Sequence, residues 1–482
     1  MELQRPFRRL TDDDCQTLHE ASCRILERTG VRLHHPPAVR LLEAAGARVS
    51  EENRVRIPQA LVERALETVP STVILYDRGG APAVEAGGLR SFFGTGSDCL
   101  YVLDHRTGER RRARIRDVRE GVTLCDALEN VDFVMCMFLP SDVPRMTADR
   151  FEMQAMLEHT TKPLVFVTTD LAGCVDAVAM AEAVAGGAEA LEERPLAACY
   201  INVTNGLQHN REALEKLLFL SGKNLPATYV PVSLGGASAP VTLAGGMALW
   251  NAGCLAGLVI GQLNRPGSPF ITSGWGASAL DMRTGLSPYV EPEKQFIAQE
   301  LAHFYGLPMF AFGGISDAKQ VDGQAGAEAA LTLLANAQAG SHLVHDMGYL
   351  ESGLTGSLAQ LVVCDELVGW VRAALEPVEI TEETLGLDVI DEIGPDGQYL
   401  DSLHTLHHYG DRWYPRVLDR LGYDAWVGRG GRDLAHAAAE RVEALLNGHE
   451  PEPLPEEVRR RVQAVVDRPF NSRSADSSPH RT

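Results

Sequence analysis

Residues 308–354 read PMFAFGGISDAKQVDGQAGAEAALTLLANAQAGSHLVHDMGYLESGL. An apolar run with two aromatics, Pro308 to Phe312, stops at the paired Gly313 and Gly314. The polar loop Ser316-Asp317-Ala318-Lys319 follows, then an alanine-rich helical stretch and a second apolar run ending in His345-Asp346. The order is strand, loop, helix, strand, with chemistry-capable side chains at the ends of both strands. In parallel α/β folds the C-terminal ends of the strands are where sites are built.

The same alternation extends outward from this unit with a period of roughly 30–40 residues, as βα units require. It predicts strands at 92–95, 131–137, 163–169, 198–203, 227–233, 269–275, 309–313 and 342–346. It predicts helices at 114–129, 147–159, 175–185, 211–220, 243–263, 294–305, 323–339 and 358–375. Eight strands, each followed by a helix, is the count of a TIM (β/α)8 barrel. An open doubly wound sheet is the alternative, and neither G-x-G-x-x-G nor G-x-x-x-x-G-K-[ST] favours it. The fold class expected is therefore α/β, a barrel over 91–377. Residues 1–90 read as a helical N-terminal cap, its first helix N-capped by Thr11 with Asp14 and closed by Gly30. Residues 378–468 read as a C-terminal extension packing on the barrel, beginning with an acidic linker at 379–396. The polar residues 469–482 read as a disordered tail.

Composition narrows the function. The 482 residues carry a net charge of −21 with no compensating basic cluster, which argues against nucleic acid and anionic membranes. An acidic surface suits a cationic substrate, and it also simply confers solubility. The first residues lack a secretory h-region, and the apolar 244–263 is broken by Gly245, Gly246, Asn251, Gly253 and Gln262, so it reads as a buried helix. Nine cysteines without C-x-x-C point to a reduced cytoplasm, and no His/Asp/Glu/Cys spacing signals a metal.

In a barrel the strand ends share one bowl, which collects Gly94, Gly96, Met137, Phe166, Thr169, Asn202, Asn205, Ser233, Trp275, Phe312, His345 and Tyr349. The aromatics either pack the core or cage an N-methylated cation through their ring faces. His345 is the candidate catalytic residue. Phe166, Asn202, Asn205, Trp275, Phe312 and Tyr349 are candidate substrate contacts. Gly235 and Gly236, in a glycine-rich turn entering a helix, either offer amides to a carboxylate or only permit the turn. Lys319 is a Schiff-base candidate or a solvated lysine near Asp317 and Asp322; Lys162 precedes its strand and lies at the wrong end.

Several stretches resemble the trimethylamine methyltransferase family. They are HPPAVRLLEAAGARV (35–49), RIPQALVERALETVP (56–70), FFGTGSDCLYVLDHRTGERR (92–111), TTKPLVF (160–166), GGASAPVTLAGG (235–246) and SGWGASALDMRTG (273–285). The GG-x-SD-x-K…H…LESGL pattern of the opening stretch and LHTLHHYGDRWYP (403–415) complete the likeness. The resemblance implies transfer of a methyl group from a methylated amine to Co(I) of a separate corrinoid protein. It implies that Gly94, Gly96, Gly313, Gly314 and Ser316 face that cofactor, with His345 near the cobalt side. The archetype carries pyrrolysine, and this sequence has only ordinary residues. A quaternary ammonium such as glycine betaine already leaves as a neutral amine, so the absence of pyrrolysine points to a betaine-like substrate. The cobalamin-binding signature D-x-H-x-x-G is absent, so the expectation is that no cofactor is held by the chain itself. A Schiff-base lyase using Lys319 and a non-catalytic betaine-binding homologue are the competing readings. A homo-oligomer would use helices or terminal additions, because a closed barrel has no free strand edge.

Overall fold

The computed structural model describes residues 7–274, 278–291 and 297–469. Seven parallel strands form one sheet in the order Phe92–Phe93, Leu343–His345, Met309–Phe312, Phe270–Ser273, Ala227–Pro231, Ala197–Val203, Leu164–Val167. The row closes on itself through residues 131–138: Gly94 bridges Phe133 and Val134 bridges Leu164, both in parallel. The result is an eight-membered (β/α)8 barrel, as the alternation predicts.

The closing segment is not the regular strand expected at 131–137. The Thr95 hydroxyl accepts from the Met135 N–H (3.0 Å) and donates to the Met135 carbonyl (2.8 Å), so a side chain takes ladder positions that backbone would fill. Gly94 makes the approach possible, since a Cβ there would sit 2.4 Å from the Phe133 carbonyl oxygen. A side-chain bridge of this kind leaves no trace in hydrophobic periodicity.

Register assigns each residue to a face. Val165, Ala198, Ile271, Phe310 and Leu343 meet Phe133 and Met135 inside the barrel. Val73, Leu75, Val84 and Ala86 join them from the hairpin Val73–Tyr76/Pro82–Ala86. That hairpin plugs the end where strands begin: Tyr76 N–H donates to Pro195 O at 2.9 Å and Arg78 N–H to Thr161 O at 2.8 Å. The opposite end, where the strands finish, holds the bowl.

The helix Leu243–Asn264 is long and apolar enough to cross a membrane, yet most of it is buried in protein. Barrel strands cover one side, and the N-terminal helices Asp12–Arg24, Pro36–Ala44 and Gln59–Thr68 cover the other. The Thr11–Asp14 capping box and the Gly30 terminus form as predicted. The cap also contains three-residue strands, Val31–Leu33, Arg48–Ser50 and Arg54–Arg56, too short to show a period. At the other terminus Leu434–Gly448 packs on Ile115–Ala127 and Leu358–Leu375, and Glu456–Val466 on Ala148–His159 and Leu171–Ala185. The expected linker at 379–396 contains two short helices, Glu382–Leu385 and Leu387–Ile393. Of the expected tail, residues 470–482 lie outside the described residues.

Candidate active site

Inward-facing positions at the strand ends build the bowl. Along Ala197–Val203 the even residues Ala198, Tyr200 and Asn202 face inward, and openness rises from buried to half-buried to exposed. On the far wall Phe310, Phe312, Leu343 and His345 hold the same parity, with Phe312 in register with His345. The Phe310 ring lies 4.2 Å from the His345 ring, and Tyr200 is 5.8 Å from it.

His345 is buried, and its Nδ1 lies 2.6 Å from the Ala311 carbonyl, which requires the proton on Nδ1. Its Nε2 lies 3.3 Å from Asp346 Oδ1. A lone pair on Nε2 facing an ionised carboxylate would repel it, so one further proton belongs to the pair. Tyr289 donates its hydroxyl to Asp346 Oδ2 at 2.5 Å, which favours the ionised carboxylate. Burial lowers the His345 pKa, with Asp346 and the Ala311 bond working against it. Burial raises that of Asp346, against the pull of His345 and Tyr289. Asp346 also sits at φ 77°, a left-handed backbone that costs an aspartate roughly 1 kcal/mol. Gly96 leaves room for its carboxylate: a Cβ there would fall 1.7 Å from Asp346 Oδ1.

Tyr289 reaches the bowl from the long connection after Phe270–Ser273. Asp317 holds it there by accepting from the Tyr289 N–H (3.0 Å), the Val290 N–H (3.3 Å) and the Ser352 hydroxyl (2.6 Å). Its ring lies nearly parallel to Phe312 and Tyr349, with centroids 5.7 and 6.4 Å away. The Tyr349 hydroxyl donates to Ser97 O. Asp98, also left-handed at φ 72°, follows at the end of the first strand and is solvent-reachable. The walls around it desolvate its carboxyl and raise the pKa; Ser97 opposes the rise and Asp346 adds to it. Behind them Glu152 is buried, its Oε1 without a hydrogen-bond partner among the described residues; burial first, then Asp98 and Asp149, pushes its pKa well up.

Of the sequence-derived candidates, the bowl brings together His345, Phe312, Tyr349, Asn202 and Gly96. Phe166 is a correction: it pairs with Cys199 and packs in the layer between strands and helices, because its neighbours Val165 and Val167 take the inward parity. Asn205 Oδ1 accepts from the Leu207 and Gln208 N–H groups at 2.9 Å each and holds a turn. Gly235 and Gly236 serve the turn: Gly236 donates to Ala239 O, and the Ala237, Ser238 and Ala239 amides converge on Leu234 O. Gly94, Gly313, Gly314 and Ser316, expected to face a cofactor, are buried and engaged in the barrel's own hydrogen bonds. Gly94 and Gly313 donate to Val344 O and His345 O, Gly314 to the Thr332 hydroxyl, and Ser316 Oγ to Glu328. Trp275 lies outside the described residues. Lys319 is exposed, its Nζ donating to Asp317 O at 2.7 Å.

Sequence reasoning missed Tyr200, Asp98 and Tyr289. Tyr200 carried a usable signal, lying two residues from Asn202 on the same face. Asp98 ends the G-T-G-S-D stretch, whose glycines mark a turn without marking the acid that closes it. Tyr289 carried none, for it belongs to no strand end.

The fold and site define an α/β-barrel protein whose bowl combines carboxylates with an aromatic wall. The trimethylamine methyltransferase (MTTB) family profile matches residues 2–473, and the chain belongs to that family of methyltransferases. The trimethylamine methyltransferase MttB of Desulfitobacterium hafniense (strain DSM 10664 / DCB-2) is 30% identical over 95% of this chain and 93% of its own. A glycine betaine methyltransferase of D. hafniense (strain Y51) is 28% identical over 95% and 96%. The crystal structure of the Methanosarcina barkeri monomethylamine methyltransferase (MtmB) aligns at 12% identity with a TM-score of 0.48, over 93% of this chain and 90% of that one.

Proposed function

We propose that the protein moves a methyl group from a quaternary ammonium of the betaine type to Co(I) of a separate corrinoid protein. The observation that carries this reading is Asp346 beside the parallel rings of Tyr289, Phe312 and Tyr349, with Asp98 near enough to act on Asp346 electrostatically. Carboxylates and ring faces together favour a permanent cation that cannot donate hydrogen bonds. In the transfer the carbon–nitrogen bond breaks and both its electrons leave with nitrogen as a neutral tertiary amine. The acceptor supplies the pair for the new methyl bond, and no proton moves. The chain's task is then to bind, orient and strip water from the cation. His345 keeps one proton on Nδ1 and shares a further one with Asp346, whose carboxylate character toward the cation is favoured by the Tyr289 hydroxyl. The exposed Lys319 lacks the desolvation a Schiff-base lysine needs, which weighs against the lyase reading. A reducing cytoplasm suits both a Co(I) acceptor and nine buried, unpaired cysteines.

Anaerobic incubation with Co(I) cobalamin and a panel of amines tests the reading. The panel is glycine betaine, proline betaine, carnitine, γ-butyrobetaine and trimethylamine. The visible spectrum is expected to report methylated cobalamin with a quaternary amine and none with trimethylamine. No methylation from any quaternary amine, even with a cognate corrinoid protein, overturns it.

A further inference from the structure

We propose that residues 378–410 form an arm that docks on a second copy of this chain. Between Val378 and Tyr409 ten large apolar side chains are at least 41% exposed, led by Leu400 at 85%, Val378 at 83% and Tyr409 at 76%. The described residues from 7 to 377 expose only eight to that degree between them. Ten such side chains bare on the order of 1,000 Å², more than monomers leave uncovered and the scale of one side of a stable interface. The arm has no core of its own. Its helices Glu382–Leu385, Leu387–Ile393 and Leu403–His408 contain no buried residue, and helices this short do not persist alone in water.

Charge identifies the occupant. The arm holds eight acidic residues and no lysine or arginine. The stretch that follows, 411–432, holds five exposed arginines against three aspartates; Arg416 and Arg432 pair with Glu129 and Glu440 of their own chain, which leaves Arg412, Arg420 and Arg429 to face a second copy. Acidic arm and arginine-rich base are joined in one chain, so two copies related by a two-fold axis satisfy each other twice, the geometry of an isologous dimer. A groove of about 1320 Å³ opens at the root of the arm, its wall including the stacked Trp370 and Trp413 together with Arg420. It also holds Asn130 and Asp132, where the closing segment of the barrel begins, so it lies at the end away from the bowl. A partner bringing a methyl acceptor to the bowl has no use for that end, whereas a second copy leaves every bowl open.

Sedimentation of the full chain at micromolar concentration reads the outcome. Wild type is expected at a multiple of 52.3 kDa, and Leu400→Asp/Leu403→Asp at the monomer mass with its circular dichroism and melting unchanged in shape. Arg412→Glu/Arg420→Glu is expected to weaken association about tenfold or more, and addition of Glu382→Arg/Glu383→Arg to restore it. A monomeric wild type, a Leu400/Leu403 variant that stays associated, or charge variants without effect would each overturn the proposal.

Discussion

His345 and Asp346 hold one proton between two heavy atoms 3.3 Å apart, and Tyr289 decides how it is shared by donating to the far carboxylate oxygen. Removing that donor in Tyr289→Phe leaves the ring wall intact but raises the Asp346 pKa further. The acid limb of the kcat/KM profile is therefore expected to move to higher pH, with about a tenfold loss near neutrality that recovers in base. Unchanged pH dependence would remove Tyr289 from the site. Glu152 offers a stability prediction with a definite sign. Its folded-state pKa lies above the unfolded value, so the folded chain binds the extra proton and stability falls as pH rises from the ordinary carboxylate range through the raised value. Glu152→Gln keeps the shape without the charge, and its melting temperature is expected to decline less than that of wild type between pH 5 and pH 8, windows set by the ordinary glutamate pKa of about 4.3. Parallel curves would show that Glu152 ionises in the folded chain as it does in the unfolded one, so that its pKa is not raised.

At the scale of elements, the strands and helices that follow apolar periodicity were legible because burial on both faces imposes it. The helices Gly323–Ala339 and Leu358–Leu375 occupy the predicted spans. The barrel seam was not legible, because the Thr95 hydroxyl replaces backbone pairing there. Thr95→Val is nearly isosteric but leaves the Met135 N–H and carbonyl without that partner inside the barrel. The expected cost is about 2 kcal/mol in denaturant unfolding, and an unchanged midpoint would mean the seam carries no stability. Among candidate residues the miss at Phe166 has a plain cause. Phe166 lies one residue off the inward parity, and one residue turns a side chain from bowl to helix layer.

For the whole molecule, the plug decides which end works. The hairpin Val73–Tyr76/Pro82–Ala86 fills the barrel where the strands start, and the bowl is what remains. Leu75→Ala opens a cavity in that plug and is expected to cost about 2–5 kcal/mol of stability while leaving KM for the amine unchanged. A KM shift matching the stability loss would show that plug and bowl are one unit. The amino-acid sequence by itself determined the α/β class, the number of repeating units, the strand ending in His345 and the family, because each is written in local periodicity or contiguous motifs. Closure through Thr95, the inward parity, the plug and the arrival of Tyr289 beside Asp346 were decided only by the tertiary structure. Each joins residues tens to hundreds of positions apart, and no local pattern encodes which of two faces a side chain will meet.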